Sequence, residues 1–541
     1  MASRRRASEG LGCLTPTLPE LAAQAFDVVV IGGGINGAGI AREAQLHGYR
    51  TLLVERDDFG AGTTSRATRL IHGGLRYLEH GEFALVYESL GEREALLREA
   101  PHLVHPLRLL VPVYRGDARA AWKVRAGLLL YDIFALRKSL PRNATMTRHK
   151  LDDYEPGLNR DGLSATFLMS DAQVEFPERL VIEAVRDFTD AGGVALNHVA
   201  ATHILSPGGV LRSVTLRDSC GDESEIAAKV VVNAAGPWAD AVLAGTDAER
   251  HDRLIGGTKG SHLVVEWAAG PTHAIFASAK EDGRPFFILP WYRYTLIGTT
   301  DIRYDGDPSK ARATGDEVRY LLNEANRLFP SSPLAREDIL YTYSGVRPLP
   351  YTPGEEEGTI SRSHFVLDHA KRGGPNGLLS IVGGKLTTYR SLARVALKAI
   401  AKHAAPSGVR SSTPESLDTG SAKLEAHYDD PLRIYGLRAA EVRALIDADP
   451  SLSEGICEHN PEMLAQVAYA VDRELAQTLG DVLLRRLPCG WSKCHALDGA
   501  ARVAALIAKR LGWDEARTAT EIAAYEREVR ETMVPVDAAG S

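Results

Sequence analysis

The chain has 541 residues, 44% of them hydrophobic and 25% charged, the composition of a globular protein long enough for two or three domains. Its net charge of −7 gives nucleic-acid binding no bulk electrostatic support. Five cysteines, scattered and odd in number, fit a reducing compartment and argue against a disulfide framework.

Residues 1–10 carry Arg4, Arg5 and Arg6 with no apolar stretch behind them, so a secretory signal is not expected and residues 1–24 read as a disordered tail. Residues 26–31 form a β-branched run that ends in glycines, 35–47 read as a helix, and 51–54 as a second strand closing on Glu55. Residues 62–74 are polar and glycine-punctuated, an ordered loop, and 83–99 are a helix stopped by Pro101. Residues 205–221 read as turn-rich, 229–232 as a buried strand, and 262–302 as the strand-rich, aromatic texture of an antiparallel layer. Residues 378–382 return to the parallel-strand pattern before a second Gly-Gly turn and helix. Residues 405–422 are the expected linker, and 423–541 a helical C-terminal domain. Residues 25–404 are then one interleaved body. No apolar run is long enough to span a bilayer.

The first turn reads Gly32-Gly33-Gly34-Ile35-Asn36-Gly37, a G-x-G-x-x-G between a strand and a helix. Gly32 permits the tight turn, Gly34 lets a pyrophosphate approach the backbone, and Gly37 allows close helix–strand packing. Glu55, 23 residues after Gly32, stands where an acid accepts ribose hydroxyls and repels a 2′-phosphate. This motif alone leaves NAD and FAD open. Cys489, Cys494 and His495 are close in sequence, but no second ligand pair at finger-like spacing accompanies them, so core or surface thiols are the better reading.

Two runs decide between the cofactors: Gly62-Thr63-Thr64-Ser65-Arg66-Ala67-Thr68, and Leu70-Ile71-His72-Gly73-Gly74-Leu75-Arg76-Tyr77-Leu78-Glu79. With Asn233-Ala-Ala235-Gly236-Pro-Trp238, Lys259-Gly-Ser-His262, Ile297-Gly-Thr-Thr-Asp301, Tyr343-Ser-Gly-Val-Arg347-Pro-Leu349 and Gly383-Gly384-Lys385-Leu386-Thr387-Thr-Tyr-Arg390, the sequence resembles FAD-dependent glycerol-3-phosphate dehydrogenases of the respiratory kind. The resemblance implies a D-amino-acid-oxidase-like α/β fold. In it a doubly wound, Rossmann-like FAD domain is interleaved with an antiparallel substrate sheet, and an α-helical domain follows. It also implies oxidation of sn-glycerol 3-phosphate at FAD, with a quinone acceptor, or oxygen in the oxidase alternative. A homodimer and a cytoplasmic location on the inner face of the membrane are further implications. Where the family often carries Asp-Ala-Arg, this chain reads Glu175-Phe-Pro-Glu178-Arg179.

On this resemblance His72, Gly73 and Gly74 lie along the flavin, Thr64 and Ser65 near its pyrophosphate, and Val199 and Ala235 by the adenosine. Gly384 to Thr387 would open a helix whose positive end stabilises charge on the flavin pyrimidine edge. A phosphomonoester dianion calls for converging cations, here Arg76, Arg347, Arg362 and Lys385, with Arg347 nearest the C2 oxygen and Tyr77 a pocket wall. His262 has the natural pKa for the base that takes the C2-hydroxyl proton. Residues 115–142 interleave Arg119, Lys123, Arg125, Arg137, Lys138 and Arg142 with Trp122, Leu128, Leu129, Leu130, Ile133 and Phe134. That pattern suits a helix lying in an anionic membrane surface or a core-facing helix with a solvated edge.

Overall fold

The computed structural model describes residues 16–79, 81–247, 252–354, 360, 363–410 and 430–533, without the side chain of Arg76. Arg362, the tail up to residue 15 and residues 411–422 of the expected linker lie outside it.

The strand Ala25–Ile31 is buried at every position after Ala25, as a strand covered on both faces must be. It pairs in parallel with Thr51–Val54 on one side and with Glu223–Asn233 on the other, so that Val30 faces Leu53 and Val232. Leu378–Val382 extends the parallel sheet beyond Glu223–Asn233, and Val194–Leu196 extends it beyond Thr51–Val54. Helix Ile35–Leu46 packs against helices Pro177–Asp190 and Tyr389–Ile400 over this sheet. Among the described residues a second sheet of ten strands is antiparallel except where Ala274–Ser278 runs beside Val104–Tyr114. The architecture is therefore the doubly wound domain interleaved with an antiparallel layer, followed by a helical C-terminal domain.

Three expectations need correction. Residues 16–24 are not tail: helix Leu18–Ala22 starts with a capping box, Thr17 with Glu20, and buries Leu18 and Leu21 against the parallel sheet. The turn-rich stretch 205–221 contains the strand Ser213–Asp218, which forms a hairpin with Val199–Leu205; residues 206–212 make the connection, with Gly208 and Gly209 both at positive φ. Residues 405–410, the start of the expected linker, are docked, since Ser407 donates to Asp27 and the Gly408 N–H to the Gly48 carbonyl at 2.8 Å.

Helices Ala439–Ala448, Leu464–Arg473, Ala500–Leu511 and Glu515–Met533 build the C-terminal domain. Buried ion pairs hold it to the catalytic body. Asp58, 1% exposed, accepts from Arg485 at 2.8 Å, from both terminal nitrogens of Arg486, and from Asn197. Arg433 pairs with Glu175 at 2.9 Å and Arg179 with Glu474 at 2.6 Å. Glu178 meets Arg69, whose guanidinium lies over the rings of Trp291 and Trp491. The Glu175-Phe-Pro-Glu178-Arg179 element thus supplies two charges that pair across this seam, Glu175 and Arg179, while Glu178 holds Arg69 beside it. Removing one partner of such a pair leaves a buried charge unmatched, which costs about 3–5 kcal/mol.

Candidate active site

The glycine turn ends the first strand under a cavity of about 1060 Å³. A Cβ on Gly32 would lie 2.6 Å from the Ala234 carbonyl oxygen, and one on Gly37 would overlap the carbonyl of Gly32. Gly33 donates its N–H to Glu55 Oε2 at 2.6 Å, and Asp57 donates to Oε1 at 2.9 Å. Burial pushes the Glu55 carboxyl up, against the pull of these two N–H groups. Gly34, Asn36, Thr64, Val199, Ala235 and Gly236 also line the cavity, and Asn36 Oδ1 has no partner there. Ser65 does not: its hydroxyl is turned into the protein and donates to the Gly60 carbonyl at 2.6 Å. Gly33 and Gly37 act from behind the wall, by permitting the turn.

A smaller cavity of about 230 Å³ adjoins the first, and Thr63, Arg66, Gly345, Gly384, Lys385 and Leu386 line both. His72, Gly74, Tyr77, His262, Arg347 and Thr387 belong to the smaller one. Gly73 lies behind it, its N–H donated to Tyr131 and Asp171. The His72 N–H donates to Thr387 Oγ1 at 3.1 Å, tying the two glycine-rich loops together. Lys385 Nζ stands 3.5 Å over the centre of the Tyr77 ring. Residues 386–388 form a turn, and the helix itself is Tyr389–Ile400. The expected helix start at Gly384 is displaced because Gly383 and Gly384 both adopt positive φ, outside the helical region.

His262 occupies the strand Thr258–Val265, opposite Tyr343 on one neighbour and Gly298 on the other. Its ring stacks on Tyr343 at 4.6 Å, and a Cβ at Gly298 would collide with it. Nε2 lies 3.0 Å from Thr68 Oγ1, and Nδ1 has no hydrogen-bond partner among the described residues. Burial, reinforced by Arg347 and Arg69, holds the imidazole well below its usual pKa, so it is neutral. When Nε2–H donates to Thr68, Nδ1 is a buried acceptor without a partner among the described residues.

Arg347 donates to Asp301 Oδ1 at 2.9 Å and to Thr299 Oγ1 at 3.1 Å. Gly260 makes room for it, since a Cβ there would strike the guanidinium. Asp301, Thr68 and Arg66 were not among the expected site residues. Asp301 and Thr68 lay within quoted motifs, but their facing partners are on other strands, a pairing only the fold reveals. Among the described residues Cys494 groups with Cys457 and Asp498, and not with Cys489 and His495.

Residues 27–390 match the family described as FAD dependent oxidoreductase, and residues 389–518 match the C-terminal domain of alpha-glycerophosphate oxidase. The chain is 40% identical over 545 residues to a glycerol-3-phosphate dehydrogenase of Synechocystis sp., covering 96% of this chain and 98% of that protein. The chain belongs to the FAD-dependent glycerol-3-phosphate dehydrogenase family. A family relative from Brucella abortus, D-erythritol 1-phosphate dehydrogenase, is 35% identical over 484 residues, 85% of this chain and 93% of its own. The crystal structure of glycerol-3-phosphate dehydrogenase from Bacillus halodurans complexed with FAD superposes with a TM-score of 0.72 at 26% identity, covering 95% of this chain and 96% of that one.

The residues present fit FAD, the cofactor of this family. The larger cavity has the glycine cradle, the Glu55 carboxylate and an unpartnered Asn36 oxygen at hand. It also has walls from the C-terminal domain, including Arg485, Tyr525 and Glu528.

Proposed function

We propose that this flavoprotein oxidises sn-glycerol 3-phosphate to dihydroxyacetone phosphate. The observation that carries the reading is the small cavity beside the cofactor cavity, where His262, Arg347 and Lys385 converge. FAD, when bound, would supply the acceptor for the hydride that leaves C2. His262 Nδ1 takes the C2-hydroxyl proton, for which a neutral, buried imidazole with a free lone pair is suited. Arg347, oriented by Asp301 and Thr299, stabilises the oxygen as charge develops on it. Lys385 binds the phosphate, with Tyr77 fixing its ammonium, and Arg76 and Arg362 are the further candidates for that role.

The natural electron acceptor in this reading is a membrane quinone, reached from an anionic bilayer face on the inner side. Helix Ala121–Phe134 buries only Leu128 and Tyr131. Trp122 is 69% exposed and Ile133 57%, and Leu129, Leu136, Phe83 and Tyr87 extend the apolar surface. Lys123, Arg125, Arg137, Lys138 and Arg142 flank it, as a helix lying in a bilayer interface requires. No helix among the described residues is long and apolar enough to cross a membrane. The assembly proposed is a homodimer.

Anaerobic addition of glycerol 3-phosphate should bleach the flavin band, while glycerol and amino acids leave it unchanged. Preferential bleaching by D-erythritol 1-phosphate would overturn the substrate. Hydrogen peroxide release in place of reduction of a soluble quinone would overturn the acceptor in favour of the oxidase reading. Failure to sediment with vesicles containing phosphatidylglycerol would remove the membrane contact.

A further inference from the structure

Cys457 and Cys494 come together from two segments of the C-terminal domain, away from both cavities. Their sulfurs and the Asp498 carboxylate lie within 4.8 Å of one another. The Asn460 amide donates to both sulfurs, at 3.0 Å to Cys457 and 3.4 Å to Cys494, and to Ser492 Oγ at 3.0 Å. Ser492 Oγ lies 3.3 Å from the Cys494 sulfur. Both cysteines are partly exposed, whereas the neighbouring Cys489 is buried.

Two chemistries use such a pair. A closed structural zinc site takes four protein donors. Only two thiols and one carboxylate gather here among the described residues, and Asp498 is exposed and already accepts the Glu458 N–H at 3.3 Å. A dithiol needs only two sulfurs, accessible to an oxidant and close enough for rotation to bring them to the bond length of about 2.05 Å. The two amide N–H groups of Asn460 stabilise negative charge on whichever sulfur attacks. They also offset the burial that raises the Cys457 thiol above its ordinary pKa.

We propose that Cys457 and Cys494 are a reversible dithiol–disulfide site, oxidised by hydroperoxides. One thiolate attacks a peroxide oxygen, breaking the O–O bond and giving a sulfenic acid and, with hydrogen peroxide, hydroxide. The second thiolate attacks the sulfenic sulfur, forming the S–S bond and expelling hydroxide. The two thiol protons and two electrons of the pair leave with the oxygens as two waters. The site is independent of the proposed substrate. The loop carrying Cys494 also carries Trp491, whose ring takes the Arg66 guanidinium at 5.5 Å, and Arg66 lines the cofactor cavity.

The test uses full-length, FAD-loaded protein treated with hydrogen peroxide, quenched with N-ethylmaleimide and digested without reductant. A Cys457–Cys494 linked peptide, a mass loss of about 2 Da before alkylation and reversal by dithiothreitol are expected. Cys457→Ser and Cys494→Ser should each abolish the link and leave the remaining thiol alkylated or over-oxidised. Over-oxidation of either cysteine without a link in the unsubstituted protein overturns the proposal. Pairing of either with Cys220 or Cys489, or one zinc per chain shielding both from alkylation, overturns it as well.

Discussion

His262→Asn isolates the proton-transfer role. The ring is fixed by Tyr343 on one face and by Gly298 and the Thr68 hydroxyl at its edge, so its Nδ1 lone pair is held in place without further help. A positioned base contributes about 10²–10⁴-fold, or roughly 3–5 kcal/mol of barrier. Substrate-driven flavin reduction, followed anaerobically by stopped flow at saturating glycerol 3-phosphate, should slow by that factor. The visible spectrum checks that FAD is retained. Thr68→Val removes only the tautomer-fixing contact and should cost less, about tenfold. The pH profile gives a second reading of the same residue. Because burial and two arginines lower the His262 pKa, the base stays unprotonated as pH falls through 6.5, its ordinary value. The acid limb of kcat/KM assigned to this group must therefore lie below pH 6.5. Reduction of His262→Asn within tenfold of the unsubstituted rate would refute the reasoning, as would an acid limb at 6.5 that vanishes in Arg347 variants but not in His262 variants.

Gly37→Ala places a methyl against the Gly32 carbonyl and should yield folded protein that loses FAD on gel filtration; full retention would show that the turn can give way. Asp58→Asn leaves Arg485 and Arg486 facing a neutral amide, and chemical denaturation should show about 3–5 kcal/mol of lost stability, with a loss under 1 kcal/mol contradicting the buried-pair argument. His198, 2.9 Å from Asp481, is raised to about 9 by that carboxylate, which outweighs its burial. Its folded pKa exceeds the unfolded value, so its stabilisation is complete below pH 6.5 and fades as pH rises through about 9. The Tm of the protein should fall across that window by an amount that His198→Gln abolishes, and identical slopes in the two proteins would refute the assignment.

The parts legible in the sequence were those encoded locally. The strand Thr51–Val54, the helix Phe83–Glu99 and the strand Leu378–Val382 coincide with their patterns, because each is an uninterrupted run closed by a glycine, an acid or a proline. The cofactor turn was legible for the same reason: glycine spacing there answers to backbone collisions a few residues away. What remained hidden depended on distant partners. Ser65 looks like a phosphate ligand in a Thr-Thr-Ser run, yet the short helical turn Thr63–Arg66 points it at Gly60. Asp301 reads as the end of a strand motif until Arg347, 46 residues later, is brought beside it. Residues 121–134 show a hydrophobic pattern that leaves a core face and a membrane surface both open, and the exposure of Trp122, Leu129 and Ile133 could not be read from it. The C-terminal contribution to the cofactor cavity carries no motif at all, since Arg485, Tyr525 and Glu528 act through the way one domain lies on another.

That last arrangement bears on how the holoprotein is assembled. Part of the cofactor cavity is formed by helix Glu515–Met533, near the end of the chain, so the ribosome has delivered the glycine turn some 480 residues before the wall opposite it exists. A cofactor held in this cavity would then have its full set of contacts only once the helical C-terminal domain has docked on the catalytic body. A ligand filling this cavity would touch both units, and binding free energy that favours only the docked form would act as a non-covalent rivet. Heating should release the two units separately when the rivet is missing and together when it is in place.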